Sequence, residues 1–128
     1  MIKIFLTVRN RLAITKKCIH ALKEHSKIKH SIYVYDNQTN YLLDEHFGYF
    51  YKLFEKGYIS QVSFLSDDST FNAFSKASAC NFFGLQHEQD PKKDNYNFMV
   101  MLDNDIIVTP GWDEYLHKAW YFVAQNKM

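Results

Sequence analysis

Two aspartates stand one residue apart in the stretch M-L-D-N-D-I-I-V-T-P-G-W, residues 101–112. Asp103 and Asp105 interrupt an apolar segment, and burying an ionised carboxylate is costly unless it is paired, hydrogen-bonded or bound to a cation. Helix capping is the weaker explanation for the pair, because residues 106–108 separate it from Pro110, where a helix is predicted to begin. Carboxylates suit Mg²⁺ or Mn²⁺, which bind a few of them together with water and substrate phosphates. The spacing therefore favours a divalent-metal site that receives a diphosphate ligand.

Polar residues also follow the other predicted strands. In an open parallel sheet, ligands bind outside the carboxyl ends of the strands, so these residues should meet the aspartate pair at one edge. Asp36 suits a turn and a ligand site equally, whereas Asp67 and Asp68 fit better as turn formers or helix caps. The polar strand ends are Thr7, Arg9 and Asn10, then Asp36 and Asn37, then Asp67 and Asp68.

Four segments are predicted to form the strands that carry these residues. Each is an apolar run with β-branched or aromatic side chains rather than a strict alternation of apolar and polar ones. Such runs are typical of strands that are buried on both faces of a parallel sheet. The predicted strands cover residues 2–8, 30–36, 59–65 and 98–102.

Between and after the strands the apolar residues recur with the period of a helix. The first helix should begin near residue 11, the second should end at Gly57, and the third should cover residues 71–85. Thr109 and Pro110 predict the N-cap and first turn of the last one. The predicted apolar stripes are Ile14, Cys18, Ala21 and Leu22; Leu43, Phe47, Phe50 and Phe54; Phe74, Ala77, Ser78 and Phe82; and Trp112, Tyr115, Leu116, Ala119, Trp120 and Val123.

Alternating strands and helices predict a three-layer α/β/α fold around a mostly parallel sheet, of the Rossmann-like kind. No repeat, low-complexity tract or linker interrupts the sequence, so residues 1–128 should form a single domain. Cys18 and Cys80 fall far apart in helical patterns and are predicted to be buried, reduced thiols.

Composition and missing motifs exclude several functions. The net charge of +1 offers no electrostatic basis for binding nucleic acid or a membrane surface. No segment resembles a signal peptide or a membrane span, so we expect a cytoplasmic protein. Neither G-x-G-x-x-G nor a P-loop is present, which excludes dinucleotide dehydrogenases and P-loop enzymes. Phosphatases of the haloacid-dehalogenase type carry D-x-D after the first strand, whereas here it follows the fourth.

Taken in order, five segments resemble the nucleotide-sugar half of GT-A fold glycosyltransferases, most closely family 2. The resemblance covers nearly the whole chain. The fourth strand ends in L-D-N-D, which is similar to the D-x-D motif of that family. The other matching segments are I-F-L-T-V-R-N-R at the first strand, V-Y-D-N-Q-T at the second, K-A-S-A-C-N-F-F-G in the third helix and V-T-P-G-W before the last helix.

The resemblance implies a base-binding side of the site. Thr7 and Arg9 would border the uracil or another base, with the guanidinium plane of Arg9 stacked on the ring. Asp36 would accept a hydrogen bond from a ring N–H of the base. Lys76 would face the base or the phosphates.

The resemblance also implies a metal-binding side. Asp103 would contact the ribose and metal-bound water, and Asp105 would ligate a Mn²⁺ or Mg²⁺ ion that bridges the two phosphates. The metal would stabilise the negative charge that develops on the diphosphate leaving group. The implied function is transfer of a sugar, most simply from a UDP-sugar, to a glycan, lipid or protein acceptor.

Family members are longer than this chain, and their second half supplies the acceptor site and the catalytic base. We therefore expect only the nucleotide-sugar half here, and no catalytic residue is assigned. The alternative is a non-catalytic remnant of the fold that acts as a binding or oligomerisation module. Exposed aromatic side chains are predicted on the last helix, which would favour a homo-oligomer.

Overall fold

The computed structural model describes residues 2–37, 39–65 and 98–125. Lys76, Cys80, Asp67, Asp68 and the helix predicted over residues 71–85 lie outside these ranges. The four predicted strands are confirmed, although the third begins two residues later and the second and fourth end one residue later. The elements are β1 (Ile2–Val8), α1 (Leu12–His25), β2 (His30–Asn37), α2 (Leu43–Glu55), β3 (Gln61–Leu65), β4 (Phe98–Asp103) and α3 (Trp112–Gln125).

The four described strands form one parallel sheet in the order β3-β2-β1-β4. From β1 the chain runs outward through β2 to β3, and β4 then pairs with the other side of β1. The order therefore reverses between β1 and β4, and in open α/β sheets such a switch point is where ligands bind. The register places Thr7 beside Asp103 and Val8 beside Asp36, so the polar strand ends share one edge.

The main core lies between one face of the sheet and the helices α1 and α2. Both faces of β1 are buried, because Lys3 and Phe5 on the opposite face are only 2% and 3% exposed. Strands at the centre of a parallel sheet need apolar side chains on both faces, which accounts for the continuous apolar run in the sequence. The core face comprises Ile2, Ile4, Leu6 and Val8 of β1, Ile32 and Val34 of β2, Cys18, Ile19 and Leu22 of α1, and Phe50 of α2.

The stripe predicted for α1 is largely confirmed. Cys18, Ala21 and Leu22 are buried, and Thr15 joins them with no exposed surface. Burial raises the pKa of the Cys18 thiol to about 11, and the negative charge of Asp105 contributes to that rise. Cys18 is therefore the buried, reduced thiol that the sequence predicts.

The stripe predicted for α2 is wrong. Of its four residues only Phe50 is buried, whereas Phe47 is 44% exposed and Phe54 is 48% exposed. The inward face is rotated toward His46, which is fully buried and places Nδ1 2.9 Å from the Leu42 carbonyl oxygen. Apolar and aromatic residues surround this helix on several sides, so periodicity alone does not select one face.

The last helix also differs from its prediction. It begins at Trp112 rather than Pro110, because Gly111 adopts a φ of 86°, outside the helical region. Asp113 is 1% exposed, and its Oδ2 accepts hydrogen bonds from the backbone N–H groups of Lys27 and Ile28 at 2.7 and 2.6 Å. Together with a side-chain hydrogen bond of Trp112, these two hydrogen bonds hold the first turn of α3 against the loop after α1.

The rest of the α3 stripe is exposed rather than packed on the sheet. The aromatic exposure predicted for this helix is confirmed, with Tyr115 at 74%, Trp120 at 51% and Phe122 at 68%. No helix in the described ranges has both the length and the apolar character needed to cross a membrane.

Candidate functional site

Thr7 and Asp103 meet at the switch point between β1 and β4. The Thr7 hydroxyl Oγ1 lies 3.2 Å from Asp103 Oδ1 and 3.4 Å from the Leu102 carbonyl oxygen. The pairing of the two strands holds both residues in adjacent register positions, and the Asp103 side chain is exposed to solvent. The fold therefore brings together two of the residues that the sequence predicted for the site.

Asp105 lies two residues after Asp103 in the same turn, beside Arg11. The Arg11 Nη1 is 3.6 Å from Asp105 Oδ2, and the two side chains are 61% and 48% exposed. An exposed pair of this kind contributes at most about 1 kcal/mol. Asp105 is thus held near the β1–α1 connection by a contact weak enough for another cation to replace it.

Asn104, between the two aspartates, points inward instead of outward. It is 8% exposed, and its Nδ2 donates to the Asn10 carbonyl oxygen at 3.2 Å and to Thr15 Oγ1 at 2.9 Å. All three residues of the D-N-D turn therefore contact β1 or the segment that joins it to α1. The residue pattern indicates no role for Asn104, because an Asn in a polar turn carries no signal of burial.

Asn10 connects this segment to the loop after β2. Its Oδ1 accepts from the backbone N–H groups of Asn40 and Tyr41 at 3.1 and 2.9 Å, and its Nδ2 donates to Asn40 Oδ1 at 3.1 Å. The Asn10 backbone N–H donates to Thr39 Oγ1 at 2.9 Å. Asn10 has a φ of 55°, a left-handed conformation that Asn adopts more readily than most residues.

Asp36 lies at the end of β2 and is 1% exposed. Its Oδ1 accepts from the Thr39 backbone N–H at 3.0 Å, and its Oδ2 accepts from the Thr39 hydroxyl at 2.8 Å. Burial raises the pKa of the Asp36 carboxyl, and the two Thr39 hydrogen bonds and the charge of His46 oppose that rise. In this conformation Asp36 shapes the loop and is closed to solvent, so its contact with a base stays a prediction.

Arg9 and Asn37 complete the polar residues at this edge. Arg9 follows β1 directly and is exposed. Asn37 is 6% exposed, and its Oδ1 is buried without a hydrogen-bond partner among the described residues. A buried acceptor left unpaired costs about 1–3 kcal/mol, which makes Asn37 a candidate acceptor for a ligand donor. The sequence placed Asn37 at the strand end, but only the structure shows that its Oδ1 lacks a hydrogen-bond partner among the described residues.

The two aspartates fit one common mode of divalent-metal binding. Mg²⁺ is often held by one or two carboxylates, with water and substrate phosphates completing its six ligands. Within residues 2–37, 39–65 and 98–125, no group of three His, Cys, Asp or Glu side chains is placed to hold a metal. Asp103 and Asp105 could therefore hold a metal together with phosphates, but they do not form a site closed by protein ligands alone.

Comparisons with solved structures show the same fold in S. aureus TarS. One TarS structure matches 97% of this chain with a TM-score of 0.63 and 16% identity, and the match covers 19% of the TarS chain. TarS 1-349 in complex with UDP-GlcNAc matches 97% of this chain with a TM-score of 0.60 and 15% identity, over 31% of that chain. TarS 1-349 in another structure gives a TM-score of 0.59 at 14% identity, with 97% and 32% covered.

This chain thus spans less than a third of each TarS chain that it matches. No protein-family model matches the sequence, and neither does any curated protein. At these identities the likeness shows the fold alone, and the predicted membership of GT-A family 2 stays a prediction. The predicted fold class is confirmed: the chain has an α/β fold built on a parallel sheet with flanking helices, and it shares this fold with TarS.

Proposed function

We propose that this chain is the donor-binding part of a metal-dependent glycosyltransferase that uses a nucleotide-diphospho-sugar, with a UDP-sugar as the first candidate. The observation that carries the proposal is the contact of Thr7 with Asp103 at the β1–β4 switch point, with Asp105 two residues after Asp103 in the following turn. The TarS complex with UDP-GlcNAc supports the choice of ligand, since a chain of similar fold binds it. The acceptor would be a glycan, a lipid or a protein.

The proposed roles follow from position along the edge of the sheet. Asp103 and Asp105 would hold Mn²⁺ or Mg²⁺ together with the two phosphates. The ion would supply positive charge to the diphosphate as it leaves the sugar. The Thr7 hydroxyl, which lies 3.2 Å from Asp103 Oδ1, would keep that carboxylate oriented. Arg11, which pairs with Asp105, would place a second positive charge beside the phosphates.

The base would lie toward β2. Arg9 would stack on it, because a guanidinium plane can replace an aromatic ring in contact with a base. Asp36 would accept the ring N–H, which requires movement of the loop at Thr39, since Asp36 is 1% exposed. Lys76 would approach the base or the phosphates.

Calorimetric titration of UDP or GDP, with and without Mn²⁺, tests the proposal. We expect binding that requires the metal and that weakens about tenfold to a hundredfold in Asp105→Ala, since a lost charge-assisted contact is worth about 1.5–3 kcal/mol. Glu55→Ala is the matched control, because Glu55 is also exposed but lies at the far end of α2. Metal-independent binding, or equal affinities for the two variants, would contradict the proposal.

A second candidate function is a non-catalytic binding or oligomerisation module, favoured by the apolar surface of α3. A groove of about 440 Å³ separates α3 from β4, and its lining includes Met99, Leu116 and Trp120. Analytical ultracentrifugation of the wild type and of Trp120→Ala tests association through this surface. Transfer or hydrolysis of a labelled UDP-sugar by the isolated chain would exclude the non-catalytic function.

A further inference from the structure

We propose that Thr15 and Asn104 are positioning residues that set the orientation of the Asp103 and Asp105 carboxylates for a metal–diphosphate ligand. The inference rests on the proposed function and extends it to two buried side chains that touch no ligand themselves. Thr15 belongs to α1 and Asn104 to the D-N-D turn, so the pair joins a helix in the core to the loop that carries the carboxylates.

The Thr15 hydroxyl donates one hydrogen bond and accepts another. Its proton goes to the Arg11 carbonyl oxygen at 2.9 Å, and its oxygen accepts the Asn104 Nδ2 proton at 2.9 Å. The second Asn104 amide proton goes to the Asn10 carbonyl oxygen at 3.2 Å. Both amide protons of Asn104 are thereby used, which fixes the plane of the amide.

Because both side chains are buried, these hydrogen bonds hold the D-N-D turn firmly against α1. Thr15 has no exposed surface, and Asn104 is 8% exposed. Three other contacts of the turn are more exposed or longer: the Arg11–Asp105 pair is about half exposed, the exposed Thr7 Oγ1–Asp103 Oδ1 hydrogen bond is 3.2 Å long, and the Ile106 N–H lies 3.3 Å from the Asp103 carbonyl oxygen. Losing a buried hydrogen bond leaves its partner unsatisfied, whereas losing an exposed ion pair is compensated by water.

Asn104 is covalently joined to both aspartates, so its anchoring places both carboxylates at once. A metal site requires its ligands to be held within about 0.5 Å of the productive geometry by the groups behind them. Loss of such supporting hydrogen bonds typically weakens metal binding about tenfold to a hundredfold. Thr15 and Asn104 are therefore expected to affect ligand affinity as well as stability.

Two substitutions at Thr15 separate positioning from general stabilisation. Thr15→Val keeps the size of the side chain but removes the hydroxyl, whereas Thr15→Ser keeps the hydroxyl. We expect the Kd for Mn²⁺–UDP to rise about tenfold in Thr15→Val, equivalent to about 1.4 kcal/mol. In Thr15→Ser the Kd should stay within about twofold of the wild type, although loss of a buried methyl group lowers the stability of that variant as well.

Amide hydrogen exchange provides a second readout that does not need the ligand. Exchange of the amides of residues 103–106 should be faster in Thr15→Val than in Thr15→Ser. Asn104→Ala should raise the Kd by a similar factor, and combining it with Thr15→Val should add little, because both remove the same hydrogen bond.

The outcomes separate this inference from the proposed function. If the wild type binds neither UDP nor GDP in the presence of Mn²⁺, both the proposed function and the positioning role are wrong. If the wild type binds and folded Thr15→Val binds equally well, the proposed function stands and the positioning role is wrong. If both Thr15 variants lose affinity to the same extent, the hydroxyl is not responsible and the positioning role is again overturned.

Discussion

Asn10 joins the loop after β1 to the loop after β2, and its replacement should destabilise the protein in a graded way. Its side chain makes three hydrogen bonds to Asn40 and Tyr41, and its backbone holds a φ of 55°. Partly exposed hydrogen bonds contribute about 0.5–1 kcal/mol each. A residue other than Asn, Asp or Gly in the left-handed region costs about 1 kcal/mol more.

These magnitudes predict an order among three variants. Asn10→Asp keeps the Oδ1 acceptor and tolerates the left-handed backbone, so it should lose about 1 kcal/mol of unfolding free energy. Asn10→Gly keeps the backbone conformation but loses all three side-chain hydrogen bonds, for a loss of about 2 kcal/mol. Asn10→Ala loses those hydrogen bonds and also strains the backbone, for a loss of about 3 kcal/mol.

Urea unfolding followed by tryptophan fluorescence measures the three losses, with equal m-values as the check that the unfolded states are comparable. Losses of this size are a large fraction of the roughly 5–15 kcal/mol that is typical of a domain. If Asn10→Ala is no less stable than Asn10→Gly, the left-handed backbone at residue 10 is not the source of the cost. If all three variants match the wild type, the loop connection itself is wrong.

Three further predictions concern buried groups. Because the folded pKa of Asp36 is raised, its contribution to stability is complete below the ordinary value of 3.8 and is lost as pH rises through the folded pKa. The unfolding free energy of the wild type relative to Asp36→Asn, measured in urea titrations, should therefore fall with rising pH. A rise would contradict this prediction. In a Cys80→Ser background, Cys18 should react with a thiol reagent at least about a hundredfold more slowly when folded than in urea, and equal rates would contradict its burial. Asp113→Ala should cost about 2–3 kcal/mol of unfolding free energy, and Asp113→Asn should cost about half of that. The reason is that the backbone N–H groups of Lys27 and Ile28 lose their acceptor only in the first variant. A cost below about 1 kcal/mol for Asp113→Ala would show that water replaces the carboxylate.

The strands were predictable because short, continuous apolar runs that end in polar turns fit strands buried on both faces, and are too short for buried helices. The face of α2 was not predictable. Phe47 and Phe54 fit the helical period as well as Phe50 does, yet they are exposed while His46 is buried. Packing against the sheet decides which side of α2 turns inward, and the periodicity of the helix carries no record of that packing.

The start of α3 shows a similar limit. Thr109 and Pro110 have the residue types of a helix start, but the positive φ of Gly111 delays the helix to Trp112. Local preference for a cap is worth about 1 kcal/mol, and the contacts of Asp113 with the loop after α1 act on the same turn. These tertiary contacts override the local signal for a helix start at Pro110.

The sequence by itself determined that Thr7, Asp36 and Asp103 lie at one edge of a sheet, because alternating strands and helices make the strands parallel and bring their carboxyl ends together. Only the tertiary structure decided that β4 pairs with β1, which places Asp103 beside Thr7 and turns Asn104 inward onto Thr15. Strand order and the burial of a single amide depend on contacts between residues more than eighty positions apart. Such contacts follow from how all the elements pack together, whereas a residue pattern reports only on its neighbours in the chain.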